Sequence, residues 1–73
     1  MPGLPVLSGA EAVKVFERAG WRRHRQRGSH VVLLKPGHIA SLSVPQHREL
    51  SPGTLRALIR AAGMSVEEFA RLR

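Results

Sequence analysis

The spacing of the apolar residues changes twice along this chain, and these changes constrain the fold more than any other feature. Before Gly20 and after Ser51 the apolar residues recur at i, i+3, i+4 and i+7, which is typical of an amphipathic helix. The first set is Ala12, Val15, Phe16 and Ala19, and the second is Leu55, Leu58, Ile59 and Ala62. Between the two sets, turn residues separate short runs with the composition of strands. The chain is therefore predicted to fold as a helix, a sheet and a second helix.

Polar residues mark where the predicted helices begin. Ser8 with Glu11, and Ser65 with Glu68, have the spacing of capping boxes, in which hydroxyl and carboxylate each accept a free backbone N–H. Ser51 precedes a proline and is a favourable cap for the second helix. The box at Ser65 predicts a short third helix near the C-terminus.

The segment between the main helices is predicted to be an antiparallel meander of three strands. Residues 21–27 and 30–35 are expected to form a hairpin around the Gly-Ser pair at 28–29. The Pro-Gly pair at 36–37 predicts a second turn. Residues 38–44 are expected to form the third strand, one face of which would carry Ala40, Leu42 and Val44.

Two helices covering one face of this sheet give an α+β two-layer sandwich: helix, three-stranded antiparallel sheet, helix, with a short C-terminal helix. Residues 8–73 would form this single domain, and residues 1–7 an irregular tail. Residues 31–34 are apolar on both faces of the second strand. The tail or the C-terminal helix would cover the second face, or that face would bind a partner or form a homodimer.

The net charge of +7 comes from the stretch between Arg18 and Arg48. This stretch holds seven cations, all four histidines and no carboxylate, whereas the rest of the chain balances five cations against five glutamates. Such a basic field predicts a polyanionic partner, either a nucleic acid or an acidic protein. An anionic membrane surface is a weaker alternative, and the apolar runs are too short to span a bilayer.

The residue types that hold metals and cofactors are scarce in this chain. There is no cysteine and no aspartate, and the histidines are separated by six, eight and nine positions, which is not the spacing of a zinc site. We therefore expect no metal and no cofactor. Residues 1–7 lack the pattern of a signal peptide, so a cytoplasmic protein is expected.

Several short motifs occur together in an order that resembles a known family. They are Gly20-Trp21, Arg25-Gln26-Arg27-Gly28-Ser29-His30, Ser43-Val44-Pro45-Gln46-His47, Leu50, Gly53-Thr54-Leu55-Arg56 and Ile59-Arg60-Ala61-Ala62-Gly63. Over about residues 8–64 the chain resembles the HicA family of bacterial mRNA interferase toxins. Each piece alone is a weak signal, but the ordered set at these spacings is fairly specific.

The resemblance implies a fold like that of the double-stranded-RNA-binding domain, in agreement with the predicted order of elements. It also implies metal-independent cleavage of mRNA and neutralisation by a cognate HicB antitoxin. The family's catalytic histidine lies in a Gly-Ser-His motif, which here ends at His30. Nothing is implied for residues 1–7 and 65–73, or for His24 and His38, which do not match motif positions.

His30 is the candidate catalytic residue. RNA carries its own nucleophile, the 2′-hydroxyl, so cleavage needs a base to deprotonate it and an acid to protonate the leaving 5′-oxygen. Imidazole serves in either role near neutral pH. Gly28 lets the backbone approach a phosphate, and Ser29 can donate a hydrogen bond to it. On the residues alone, the alternative is a polar histidine at the start of a strand, without chemistry.

The arginines before the turn are candidates for holding phosphates and for stabilising a transition state with extra negative charge. Strand alternation predicts one face with Trp21, Arg23, Arg25 and Arg27, and another with Arg22, His24 and Gln26. Arg25 is the preferred phosphate ligand because it belongs to the matched motif. A solvated basic strand that serves solubility is the alternative.

Four further side chains have two interpretations each. His47 is a second proton-transfer group or phosphate ligand, or, as favoured here, an ordinary surface histidine. Trp21 stacks on a base or, as its place at a helix–strand junction favours, fills the core. His24 and His38 are expected to be spectators, or to add to the charge that faces RNA when they are protonated.

Three functions are consistent with the sequence. The first is a metal-independent endoribonuclease that acts as a toxin on mRNA, with His30 as the catalyst. The second is a non-catalytic RNA-binding module that uses the same basic face. The third is a protein-interaction domain whose charge meets an acidic partner, and it predicts no salt-dependent affinity for RNA.

Overall fold

The computed structural model describes residues 3–73 and has the predicted order of helix, sheet and helix. Its elements are α1 Gly9–Arg18, β1 Arg22–Arg27, β2 His30–Leu34, β3 Leu42–Pro45, α2 Pro52–Ala61 and α3 Val66–Arg71. The strands form one antiparallel sheet in the order β1-β2-β3. The predicted α+β class is confirmed, and the architecture is compatible with a fold like the double-stranded-RNA-binding domain. Within residues 3–73, no helix has the length and apolar character needed to cross a bilayer.

A serine caps the start of each helix, as the sequence predicts. The hydroxyls of Ser8 and Ser65 accept a backbone N–H at 3.1 Å, and Glu11 and Glu68 accept the serine N–H at 2.8 Å. Ser51 accepts the N–H three residues further on at 3.2 Å. These bonds satisfy donors that the first helical turn leaves free. The bonds to the serine backbone and then to the hydroxyl lower the pKa of both glutamates.

The core lies between the helices and one face of the sheet, called the inner face. This inner face consists of Val31, Leu33, Leu42 and Val44, all of which are buried. Trp21 is 1% exposed, which confirms its interpretation as a core residue. The rings of Phe16 and Phe69 pack with centroids 5.0 Å apart. Phe69 thereby brings α3 into the same core as α1.

The third strand is shorter than predicted, and the expectation that it begins at residue 38 is wrong. It begins at Leu42, and residues 38–41 form a loop in which Ala40 and Ile39 are exposed. The turn at 36–37 is present: the N–H of His38 donates to the carbonyl of Lys35 at 3.0 Å. The imidazole of His38 then packs on Trp21, with ring centroids 5.0 Å apart. Residues 38–41 make no pair with β2, and the ladder between β2 and β3 begins at Leu42.

A β-bulge in β1 changes which of its side chains share a face. Arg23 pairs with Leu33 and Arg25 with Val32, so His24 between them has no partner on β2. An extra residue of this kind shifts the alternation of the strand by one. The prediction that Arg23, Arg25 and Arg27 share one face is therefore wrong, because simple alternation assumes an uninterrupted ladder.

Backbone hydrogen bonds join the start of α1 and the segment before it to the loop after β3. The carbonyl of Leu7 accepts the N–H of Leu50 at 2.8 Å, and the N–H of Gly9 donates to the carbonyl of His47 at 2.9 Å. Leu7 is buried, although it belongs to the predicted tail, and Leu4 packs against the core. The first two residues of that tail lie outside the described residues. Residues 4 and 7 thus contact the core rather than the opposite side of the sheet.

Candidate nucleic-acid interface

The face of the sheet opposite the core is basic, and we call it the outer face. Side chains of directly paired residues point to the same side of a sheet, so the pairing assigns its members. They are Arg22, Arg25 and Arg27 on β1, His30, Val32 and Leu34 on β2, and Ser43 and Pro45 on β3. All of β1 is exposed, and Leu34 is 41% exposed. In the part of the chain that the structure describes, no helix covers this face.

His30 lies on the central strand of the sheet, at the end of the outer face where β2 begins. It is the first residue of β2, and it pairs with Arg27 on one side and with Pro45 on the other. Its neighbour Val31 is buried in the core, so alternation directs the imidazole of His30 outward. The side chain is half-buried. Arg25 lies on the same face, two pairs further along the ladder, opposite Val32.

The Gly-Ser turn that leads into His30 is tightly held. Gly28 has a φ of +57°, a conformation that an L-residue with a side chain adopts at a cost. The positive φ at the first of two turn residues matches a type II′ hairpin turn. The side-chain amide of Gln26 donates to the carbonyl of Gly28 at 3.1 Å, and Gln46 N–H donates to the carbonyl of Ser29 at 2.6 Å. The turn geometry by itself therefore explains the glycine.

The structure divides the arginines that were expected to act together. Arg25 and Arg27 share the outer face with His30, and Arg22 joins them because of the bulge. Arg23 pairs with Leu33 of the inner face, and its Nε lies 3.9 Å from a carboxylate oxygen of Glu17 on α1. Both side chains are exposed, so this ion pair contributes little to stability. Simple alternation places Arg22 on the face opposite Arg25 and Arg27, and this prediction is wrong because no local signal in β1 reveals the bulge.

The other histidines occupy three different places. His47 is exposed in the loop after β3, at the same end of the sheet as His30, and its carbonyl is bound by α1. His24 is the bulged residue of β1. His38 packs on Trp21 beneath the loop before β3. Among residues 3–73, no three His, Asp or Glu side chains are grouped in a way that could hold a metal ion.

One protein-family model matches most of the chain. Residues 9–64 match the family model described as the HicA toxin of bacterial toxin–antitoxin systems. The matched range runs from the first residue of α1 past the end of α2 and includes the whole sheet with His30. It leaves out α3. No curated protein matches the chain.

Proposed function

This chain belongs to the HicA toxin family of bacterial toxin–antitoxin systems, and from that premise we propose that it cleaves mRNA with His30 in general acid–base catalysis. The observation that supports this proposal most directly is the place of His30. It stands on an uncovered basic face, between Arg27 on one strand and the loop of His47 beyond the other. An RNA strand on this face would place its phosphates near an imidazole.

The proposed reaction uses the 2′-hydroxyl of the RNA as the nucleophile. A base removes its proton, the 2′-oxygen forms a bond to the adjacent phosphorus, and the bond from phosphorus to the 5′-oxygen breaks. An acid returns a proton to that oxygen, so the products are a 2′,3′-cyclic phosphate and a 5′-hydroxyl. Imidazole exchanges protons near neutral pH and suits either role. No electron donor or acceptor is needed.

The arginines of the outer face are proposed to hold the phosphate during this reaction. Arg25 and Arg27 lie on the same face as His30, and guanidinium groups form paired, charge-assisted hydrogen bonds with phosphate oxygens. Their charge would also stabilise the additional negative charge of the transition state. The hydroxyl of Ser29 and the backbone at Gly28 are proposed as further phosphate contacts. His47 is the proposed second proton-transfer group, because its loop follows the residue paired with His30.

The proposed protein partner is a HicB-like antitoxin with an acidic surface that covers the outer face and His30. A homodimer through this face is the alternative. It would bring Arg22, Arg25 and Arg27 of one copy against the same residues of another, and like charges disfavour such an interface. Co-expression with an acidic neighbouring gene product should inhibit cleavage and raise the melting temperature by mass action. A neighbour that neither binds nor inhibits would contradict this proposal.

The decisive experiment compares wild type with His30→Ala under saturating enzyme on labelled single-stranded RNA. We expect the cleavage rate to fall by about 10²–10⁴-fold, the usual contribution of a positioned acid or base. RNA affinity should change little, because phosphates are held mainly by arginines. Arg60→Ala is the control, since Arg60 is exposed on α2, away from the sheet; both rate and affinity should stay close to wild type.

Three outcomes would reject parts of the proposal. Cleavage by His30→Ala at the wild-type rate would remove His30 as the catalyst and direct the search to His47 and His24. RNA binding without cleavage by any variant would favour the non-catalytic RNA-binding module, which uses the same basic face. An absence of salt-dependent RNA affinity would favour the protein-interaction domain.

A further inference from the structure

A second basic site lies at the end of the sheet opposite His30. Here β1 begins and β2 ends, and the surface forms a depression of about 420 Å³. We call it the Leu34 pocket, after the strand residue that supplies apolar lining. Its polar lining comes from Arg22, Arg23, His24, Lys35 and His38, and Leu34 and Pro36 form apolar surface. None of the described residues that line it is a carboxylate.

Two irregular features of the backbone border this pocket. The bulge at His24 interrupts β1 opposite Leu33 and Val32, close to the end of β2. The turn after Lys35, closed by the N–H of His38, follows β2 directly, and Leu34 is 41% exposed. Lys35 is half-buried, and its side chain extends beside Gly20. The bulge and the turn thus lie on the two strands that form the pocket.

The charge of Arg22 is not neutralised within the described residues. The only ion pair among residues 3–73 joins Arg23 to Glu17, and it leaves Arg22 without a carboxylate partner. Arg22 pairs with Leu34 and stands beside its apolar surface, which is an arrangement that suits a ligand with a flat apolar group and an anionic group. A nucleotide has both, whereas an acidic peptide side chain would use the cation and leave Leu34 uncovered. The volume is at the small end of ligand pockets and favours a single nucleotide.

The outer face joins this pocket to His30. Along β2, His30 and Leu34 are four residues apart, which is about 13 Å at the rise of a strand. Arg25 lies between them on the same face, and Arg22 pairs with Leu34 itself. A strand of about four stacked nucleotides covers this distance at about 3.4 Å each. One RNA strand can thus contact His30, Arg25 and the pocket together.

We propose that the Leu34 pocket binds one nucleotide of the RNA substrate, about three or four positions from the phosphate that is cut. Its base lies against Leu34 and Pro36, and its phosphate is bound by Arg22. The proposal rests on RNA as the substrate of the outer face. It also predicts that affinity depends on the length of the RNA. RNA long enough to reach the pocket binds more tightly than RNA that occupies only the His30 end.

The test measures binding of 2′-O-methyl RNA, which has no free 2′-hydroxyl and is not cut. Two lengths are compared at several salt concentrations, one of about three nucleotides and one of about eight. Arg22→Ala should weaken binding of the longer RNA by about threefold to tenfold and lower its salt slope by about 0.7, one phosphate on a single strand. The shorter RNA should bind this variant and wild type with the same affinity. Leu34→Ser should weaken binding of the longer RNA without changing its salt slope.

Arg60→Ala, which removes a cation from α2, is the matched control and should leave the length dependence and the salt slope intact. The proposal is wrong if Arg22→Ala weakens binding of both lengths equally, since the cation would then act only as part of a general field. It is also wrong if wild type binds both lengths with the same affinity, or binds acidic protein but no RNA. Cleavage of an unmodified three-nucleotide RNA by wild type tests the proposed function separately, because that substrate does not reach the pocket.

Discussion

His30 and Pro45 lie directly opposite each other on β2 and β3. Next to this pair, the N–H of Gln46 donates to the carbonyl of Ser29 at 2.6 Å. The turn that presents the candidate catalytic histidine is therefore bound to the loop that carries His47. That loop is in turn bound to α1 through Gly9. A chain of backbone contacts thus connects the start of α1 to the His30 end of the outer face.

The close approach of α1 predicts that Gly9→Ala is destabilising. A Cβ atom at Gly9 would overlap the carbonyl oxygen of Pro45 and lie 2.9 Å from the Cα of Gln46, and backbone atoms cannot move aside cheaply. Overpacking of this kind costs about 1–3 kcal/mol. Chemical denaturation measures the loss. Gly53→Ala is the control, because a Cβ there meets nothing within 4 Å and alanine favours the helix; equal stability of both variants would contradict the prediction.

Arg23 and Arg25 lie on opposite faces of the sheet, and we therefore expect them to contribute differently to RNA binding. Arg25→Ala should weaken binding and lower the salt slope by about 0.7, because one phosphate contact on a single strand is lost. Arg23→Ala should have a smaller effect on both quantities, because Arg23 pairs with an inner-face residue and lies near Glu17. Titrations at several salt concentrations measure this. Equal effects would mean that the bulge does not sort these side chains.

Cleavage is expected to continue in the presence of excess EDTA. The proposed reaction uses imidazole for proton transfer and guanidinium groups to hold the phosphate, and the stretch from Arg18 to Arg48 contains no carboxylate that could clamp a metal ion. Labelled single-stranded RNA incubated with and without chelator provides the measurement, and the ends of the products identify the cyclic phosphate. Activity that is lost with chelator and restored by magnesium would overturn the proposed mechanism.

The capping box of α1 predicts a pH-dependent contribution to stability. The hydrogen bonds from Ser8 lower the pKa of Glu11 in the folded protein below its ordinary value of 4.5. The charged carboxylate therefore stabilises the fold above that value, and this contribution is lost as the pH falls through the lowered pKa. Glu11→Gln should be less stable than wild type at neutral pH. Thermal unfolding at a series of pH values should show the two proteins converge in acid; a constant difference would contradict the prediction.

The helices and the core could be predicted from the sequence because their causes are local. Ser8, Ser51 and Ser65 bind backbone groups three residues away, so the capping residues alone mark the start of each helix. Trp21 could be assigned to the core from its size and from its place between helix and strand. The motif around His30 indicated the candidate catalytic residue, and the family match agrees with that resemblance.

Only the tertiary structure decided how the site is arranged. The bulge at His24 follows from how β1 pairs with β2, and it moves Arg22 onto the face of His30 and Arg23 away from it. β3 starts only at Leu42, and the loop before it carries His38, which contacts Trp21 seventeen positions earlier in the chain. Strand pairing and side-chain packing join residues distant in sequence, and no spacing within a single strand encodes them. The sequence by itself therefore determined the elements and the candidate histidine, while the fold determined which cations stand beside it.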